Sequence, residues 1–316
     1  EIERRLLFLS SCMIHNANHL RDDRDGVKVG GHQASCASMT AIMTALYFHV
    51  LRPQDRVAVK PHASPVLHAI EYLFGNQTVE KMEKFRGFGG AQAYPSRTKD
   101  GAFVDFSTGS VGLGAAVTNF AALTQDYLRS HALGEAADPP GRMIALVGDA
   151  ELDEGNVYEA LLDTWKHDIR NVWWVIDYNR QSLDGIVNER LFRLIGRFFR
   201  AVGWNVITLK YGRRLYEAFA EPGGAGLKKW VNECPNDLYS ALTFQGGEAW
   251  RAQIKADRPN DAALWALIDR YDDAALHQLM TNLGGHCLET LLHAFATVPN
   301  DMPTVFICYT IKGSGL

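Results

Sequence analysis

Two short polar stretches hold the residues best suited to chemistry: Gly148-Asp149-Ala150-Glu151 and Asp177-Tyr178-Asn179-Arg180-Gln181. Asp149 offers an anionic oxygen, Asn179 an amide oxygen, and a backbone carbonyl near Gln181 a third. That hard oxygen set suits Mg²⁺ or Ca²⁺, with diphosphate oxygens and water filling the remaining positions. Gly148 permits close backbone approach, and free N–H groups at a loop-to-helix junction favour phosphate. Taken singly, each piece reads more plainly as a Gly-Asp turn capping a helix, or as an asparagine in an ordinary loop. Their spacing and surroundings together favour the metal.

Each stretch follows a continuously apolar run, Met143-Ile144-Ala145-Leu146-Val147 and Val172-Trp173-Trp174-Val175-Ile176. Such runs are expected of parallel strands buried on both faces. A helix predicted over 156 to 165 joins them. Asp149 and Asn179 are 30 positions apart (179 − 149), a natural length for a strand-helix-strand unit. The pair is therefore expected side by side at the carboxyl edge of a sheet, where ligands of open α/β folds bind. Helical spacing is also read at 34 to 51, 65 to 73, 77 to 84, 111 to 128, 190 to 201, 262 to 270, 273 to 281 and 285 to 296. Further strands are expected at 57 to 59, 204 to 209 and 304 to 309. A long polar, glycine-rich loop fills 85 to 109, and loops of that length are often functional. The expected fold is α/β, a doubly wound and mainly parallel sheet with helices on both faces. It spans 1 to 316 as one unit, with a helical or irregular excursion at about 211 to 285.

Composition sets the outer limits. The chain is 47% hydrophobic and 22% charged with a formal net charge of -4, ordinary values for a globular protein. No broad excess of Lys and Arg points to nucleic acid. No apolar run is long enough for a bilayer. The cysteines (Cys12, Cys36, Cys234, Cys287 and Cys308) are odd in number and lack a C-x-x-C pair, which fits a reducing cytoplasm. The opening Glu1-Ile2-Glu3-Arg4-Arg5 is no secretory signal and reads as entry into a helix from something upstream.

Gly148-Asp149, followed by Asn179 thirty residues later, resembles the thiamine-diphosphate signature, with Ala150 standing where that signature usually has glycine. Glu151-Leu152-Asp153-Glu154, Asn179-Arg180-Gln181-Ser182-Leu183-Asp184-Gly185, Phe199-Arg200-Ala201-Val202-Gly203-Trp204-Asn205 and Thr310-Ile311-Lys312-Gly313 are similar to one branch, the homodimeric E1 component of bacterial pyruvate dehydrogenase complexes. The likeness covers almost the whole chain and is weakest from 211 to 285. It implies thiamine diphosphate with Mg²⁺ (or Ca²⁺ or Mn²⁺), Asp149, Asn179 and Gln181 being the metal positions.

Gly30-Gly31-His32-Gln33 and Lys60-Pro61-His62-Ala63 each place a histidine at a loop beside a helix start, where a ring can relay a proton. For any single histidine a capping or surface role is the plainer reading. The resemblance implies that His32 and His62 line the site. It also implies that Gly109, Val111 and Gly112 lie where backbone meets the aminopyrimidine ring, that Tyr94 faces the substrate adduct, and that Lys312 offers a cation to a substrate carboxylate. Gly148, Ala150 and Glu151 complete the cofactor-binding set, although the acidic group Glu151, Asp153 and Glu154 also suits a helix N-terminus. His68, His167 and His286 carry no such support. Lys60 stands where the branch has an amide and Tyr309 where it has a histidine.

The implied activity is oxidative decarboxylation of pyruvate or a close 2-oxoacid, with acyl transfer to a lipoyl-bearing dihydrolipoyl acyltransferase (E2). The activating glutamate would come from a pyrimidine-binding domain, which nothing in these 316 residues resembles. A homodimer without nucleic acid or membrane is the implied assembly. The alternatives are a transketolase-type ketol transferase and a non-catalytic domain that retains the fold.

Overall fold

The computed structural model describes residues 1–22, 30–133, 139–179, 181–182, 185–186, 189–299 and 301–316, and of 181, 182, 185, 186 and 189–193 the backbone alone. Its strands are β1 (Arg56–Ala58), β2 (Met143–Gly148), β3 (Val172–Tyr178), β4 (Gln181–Ser182), β5 (Gly185–Ile186), β6 (Asn205–Leu209) and β7 (Thr304–Tyr309). Five of them form one sheet in the order β1-β2-β3-β7-β6. Every pairing in it is parallel. β4 and β5 make a separate antiparallel pair.

The apolar runs become the central strands because each side chain finds cover on one face or the other. Ala145, Val147, Trp174 and Ile176 enter one apolar cluster. Ile144, Leu146, Trp173 and Val175 enter the cluster on the opposite face. Leu113–Ser130 and Gly155–Lys166 cover the first face through Ala115, Ala122, Val157 and Leu161. Thr40–Ala45, Ser64–Leu73 and Leu288–Thr297 cover the second through Ile42, Val66, Ile70, Leu291 and Phe295. The doubly wound α/β sheet expected from the sequence is the one observed. Trp204 anchors the approach to β6: its indole packs on Trp174 at 4.7 Å, and its N–H donates to Thr164 Oγ1 at 2.7 Å.

Two stretches depart from expectation. The helix expected over 34 to 51 is Gln33–Ala37, then Thr40–Ala45, then a wider π-type turn Leu46–Val50. At the first break Met39 N–H donates to Cys36 O, three residues back, and the Ser38 hydroxyl donates to Asp177 Oδ2 at 2.7 Å. The stretch without a clear pattern, 211 to 261, is a set of short helices, Arg213–Phe219, Gly224–Glu233, Asn236–Gln245 and Gly247–Asp257, and the expected helices Ala262–Ile268 and Asp273–Met280 follow it. They bury Leu215, Leu227, Trp230, Trp250 and Leu276 in the same cluster as Val147 and Trp174. Among the described residues no helix is long and apolar enough to cross a membrane.

Candidate cofactor site

The carboxyl ends of β1, β2, β3 and β7 open onto a cleft of about 550 Å³. His32, His62, Val111, Gly148, Asp149, Ala150, Glu151, Asn179 and Lys312 line it, together with Ser35, Lys60, Pro61, Asp153 and Glu154. Most of the residues singled out from the sequence are thus brought to one place.

The acidic wall rises from the tips of β2 and β3, where Gly148 and Asp177 are register partners. Asn179 N–H donates to Asp149 Oδ2 at 3.1 Å, which ties the two tips together. Ala150 N–H donates to Asp149 Oδ1 at 3.0 Å. Ala150 keeps an ordinary negative φ, so alanine in place of the usual glycine strains nothing here. Asp149 to Asp153 form a tight 3₁₀ turn, and Gly155–Lys166 follows it. Among the described residues no three of His, Cys, Asp or Glu gather to hold an ion. One carboxylate beside one buried amide is the donor set of a cation that shares its shell with phosphate, and so fits Mg²⁺ with a diphosphate. Gln181 lies on β4, and its side chain is outside the described residues.

Glu151 lines the cleft and also has a structural part. Its buried carboxylate accepts from Gly148 N–H and from Gly112 N–H, both at 2.9 Å. It therefore clamps the loop before Leu113–Ser130 onto the tip of β2. Burial raises its carboxyl above the usual range, although both N–H groups and the nearby Lys60 oppose the shift. Gly112 sits at φ +78°, and a Cβ there would meet Asn156 Oδ1 at 2.8 Å and Glu154 Cβ at 2.9 Å. Gly109 is exposed, with open space around it and no place in the lining.

Two histidines and two lysines share this cleft. The rings of His32 and His62 stand 4.1 Å apart. Partial burial, then the charges of Arg86, Lys312 and Lys60, push His32 below the ordinary imidazole value. Burial, His32 and the same three cations push His62 down further. Both rings are neutral at pH 7 and can donate at one nitrogen while accepting at the other. Gly30 leaves room for Arg86, whose Nη1 lies 2.7 Å from where a Cβ would be.

Lys60 is buried, and its ammonium donates to Asp177 Oδ2 at 2.5 Å. Burial alone would raise Asp177 and lower Lys60, but their mutual attraction outweighs it and moves both the other way, so the two are charged together. Thr310, at the end of β7, donates to Asp177 Oδ1 at 2.5 Å. Just beyond it, His286 accepts Ile311 N–H at 2.7 Å and so holds the backbone that leads to Lys312. Burial pushes His286 down to about 4, which keeps that accepting nitrogen unprotonated.

Besides Gly109 and Gly112, three residues lie outside the lining. Tyr94 is exposed and not part of the lining. Tyr309 turns into the core, its ring 4.8 Å from Tyr178, so this departure from the E1 pattern does not face the cleft. His68 is a core histidine, taking a hydrogen bond from Gln77 at 3.0 Å and donating to Gln92 O at 2.9 Å. Sequence reasoning missed Asp177, Ser38, Thr310, Arg86 and the holding part of His286. Asp177 did leave a signal: a carboxylate ending an apolar strand has to find partners.

A parallel sheet whose tips present an Asp–Asn pair to a cleft lined by two histidines and two lysines suits a thiamine-diphosphate-binding domain of transketolase type. The chain belongs to that family: residues 20–220 match the model of the transketolase thiamine diphosphate binding domain. Over its length it is similar to the pyruvate dehydrogenase E1 component of Mycobacterium tuberculosis, 29% identical over 339 residues covering 100% of this chain and 35% of that protein. The same component of Escherichia coli is 29% identical over 331 residues, covering 100% and 36%. That of Corynebacterium glutamicum is 27% identical over 322 residues, covering 97% and 34%. The chain thus spans about a third of the length of these relatives. Among solved structures, transketolase from Leishmania mexicana superposes with a TM-score of 0.65 at 16% identity, covering 100% of this chain and 37% of that one. A transketolase variant from Pichia stipitis gives 0.60 at 19% identity, covering 99% and 36%. These two share the fold.

Proposed function

We propose that these residues form the diphosphate- and metal-binding part of a thiamine-diphosphate-dependent 2-oxoacid dehydrogenase E1. The observation that carries the reading is the Asp149–Asn179 contact at adjacent strand tips, in the same cleft as the His32–His62 pair. Asp149, the Asn179 amide and a backbone carbonyl near Gln181 would hold Mg²⁺. Gly148 and the tight turn after it would take the diphosphate. When bound, thiamine diphosphate supplies the electron sink for decarboxylation of a 2-oxoacid. The neutral rings of His32 and His62 would donate to the substrate oxygen and move its proton, and Lys312 would hold the carboxylate. The stretches matching the E1 pattern favour pyruvate or a close 2-oxoacid as substrate and a lipoyl-bearing E2 as acceptor. On this reading the protein works as a cytoplasmic homodimer, and the activating glutamate comes from a pyrimidine-binding domain in the same longer chain or in a separate subunit.

The complete natural protein, given thiamine diphosphate and Mg²⁺, should decarboxylate pyruvate or 2-oxobutyrate in a ferricyanide-coupled assay. His62→Ala should lower that rate roughly 100-fold, the usual scale for a proton-transfer group. Ketol transfer between sugar phosphates, with no 2-oxoacid turnover, would replace this reading with the transketolase one.

A further inference from the structure

We infer that Asp177 is the positioning residue of this cleft and that it works as one unit with Lys60. The inference rests on the reading of the cleft as the cofactor site. Asp177 is completely buried at the end of β3, in a strand otherwise made of apolar and aromatic side chains. A carboxylate there is tolerated only if its oxygens are fully engaged. Three donors engage it, each from a different part of the chain: Lys60 Nζ at 2.5 Å, Ser38 Oγ at 2.7 Å and Thr310 Oγ1 at 2.5 Å. They lie 117, 139 and 133 positions away in sequence, so the contact is a product of the fold alone.

Each donor stands a short step from a residue that lines the cleft. Lys60 precedes His62 by two positions, Thr310 precedes Lys312 by two, and Ser38 follows Ser35 by three. Asp177 itself precedes Asn179 by two. One carboxylate therefore fixes the tips of β1, β3 and β7 and the helix break after His32 relative to one another. The Lys60 side chain also walls the cleft, its Cδ 3.9 Å from where a Gly148 Cβ would stand. Because its ammonium is engaged by Asp177, Lys60 acts as a strut between strands, where the E1 pattern has a neutral amide.

The test compares Lys60→Gln, Asp177→Asn, the double variant and Thr310→Val in the complete natural protein. Each is titrated with thiamine diphosphate and Mg²⁺ by calorimetry, and each is unfolded in urea without cofactor. Lys60→Gln and Asp177→Asn each leave one buried charge unpaired, and should unfold at lower urea and bind at least about 10-fold more weakly. The double variant, with two amides in place of the charges, should recover at least about half of both losses. Thr310→Val keeps the volume, and should weaken binding about 3- to 10-fold with a far smaller shift in urea midpoint. Wild-type affinity in both charge variants, or losses that simply add in the double, would overturn the inference. If the wild type shows no Mg²⁺-dependent binding, the proposed function fails first. The urea cycle alone then decides on the pair, and additive losses there would overturn it.

Discussion

Gly109 and Gly112 lie three positions apart in one loop and answer to different constraints. Gly112 needs its left-handed φ of +78° and the space that Asn156 and Glu154 leave, whereas Gly109 has nothing within 4 Å. Gly112→Ala should cost about 2 kcal/mol, from the left-handed backbone and the crowding together, while Gly109→Ala should be close to neutral. Urea unfolding of the two variants checks this, and equal losses would show that the loop is not held through Gly112. At this scale the sequence was informative where chemistry is local. Asp149 and Asn179 are recognisable because their spacing and the strands before them sit in one continuous stretch. Asp177, two positions from Asn179, escaped notice because its donors are more than a hundred residues away. Tyr94, which the family resemblance alone placed against the substrate, is exposed and outside the lining of the cleft.

Strands β2, β3 and β7 were legible because each carries an unbroken apolar run, the mark of burial on both faces. The short helices between Arg213 and Asp257 were not, although the next two, Ala262–Ile268 and Asp273–Met280, were. The first four are 7 to 11 residues long, short for periodicity to declare itself before the next turn. The break after Ala37 was also invisible, since the Ser38–Asp177 bond belongs to tertiary structure. Away from the cleft, strands β1 and β2 begin on a buried pair, Asp55 accepting from Arg142 Nη2 at 2.5 Å and from Arg142 N–H at 2.7 Å. Burial would raise the Asp55 carboxyl, but Arg142 and Arg52 outweigh it and hold it below the usual range. A carboxyl depressed in the folded state adds stability above its unfolded value and loses it as pH falls through the folded one. Asp55→Asn should therefore cost roughly 3 kcal/mol at pH 7, by leaving Arg142 buried without its partner. The gap between variant and wild type should narrow below about pH 4. A gap unchanged from pH 7 to pH 3 in urea titrations would contradict this assignment.

Across the whole molecule, the net charge of -4 says little, because the charges that matter meet in one cleft. Asp149 and Glu151 bring carboxyl groups to the cleft, and Lys60 and Lys312 bring ammonium groups. Such a mixture of charges suits a ligand that carries both a metal-bound diphosphate and a carboxylate-bearing reacting centre. The fold and most of this lining could be read from the sequence, since parallel strands, their connecting helices and their loop tips follow from hydrophobic pattern and spacing. On the proposed reading, Asp149 and Asn179 hold a metal that in turn holds the diphosphate. Calorimetric titration of thiamine diphosphate into the protein, with and without Mg²⁺, addresses it directly in wild type and Asp149→Ala. Binding should need Mg²⁺ in the wild type and fall at least about 100-fold in Asp149→Ala, as expected when a metal loses its one carboxylate ligand. Equal affinity in the two proteins, or wild-type binding indifferent to Mg²⁺, would contradict the account.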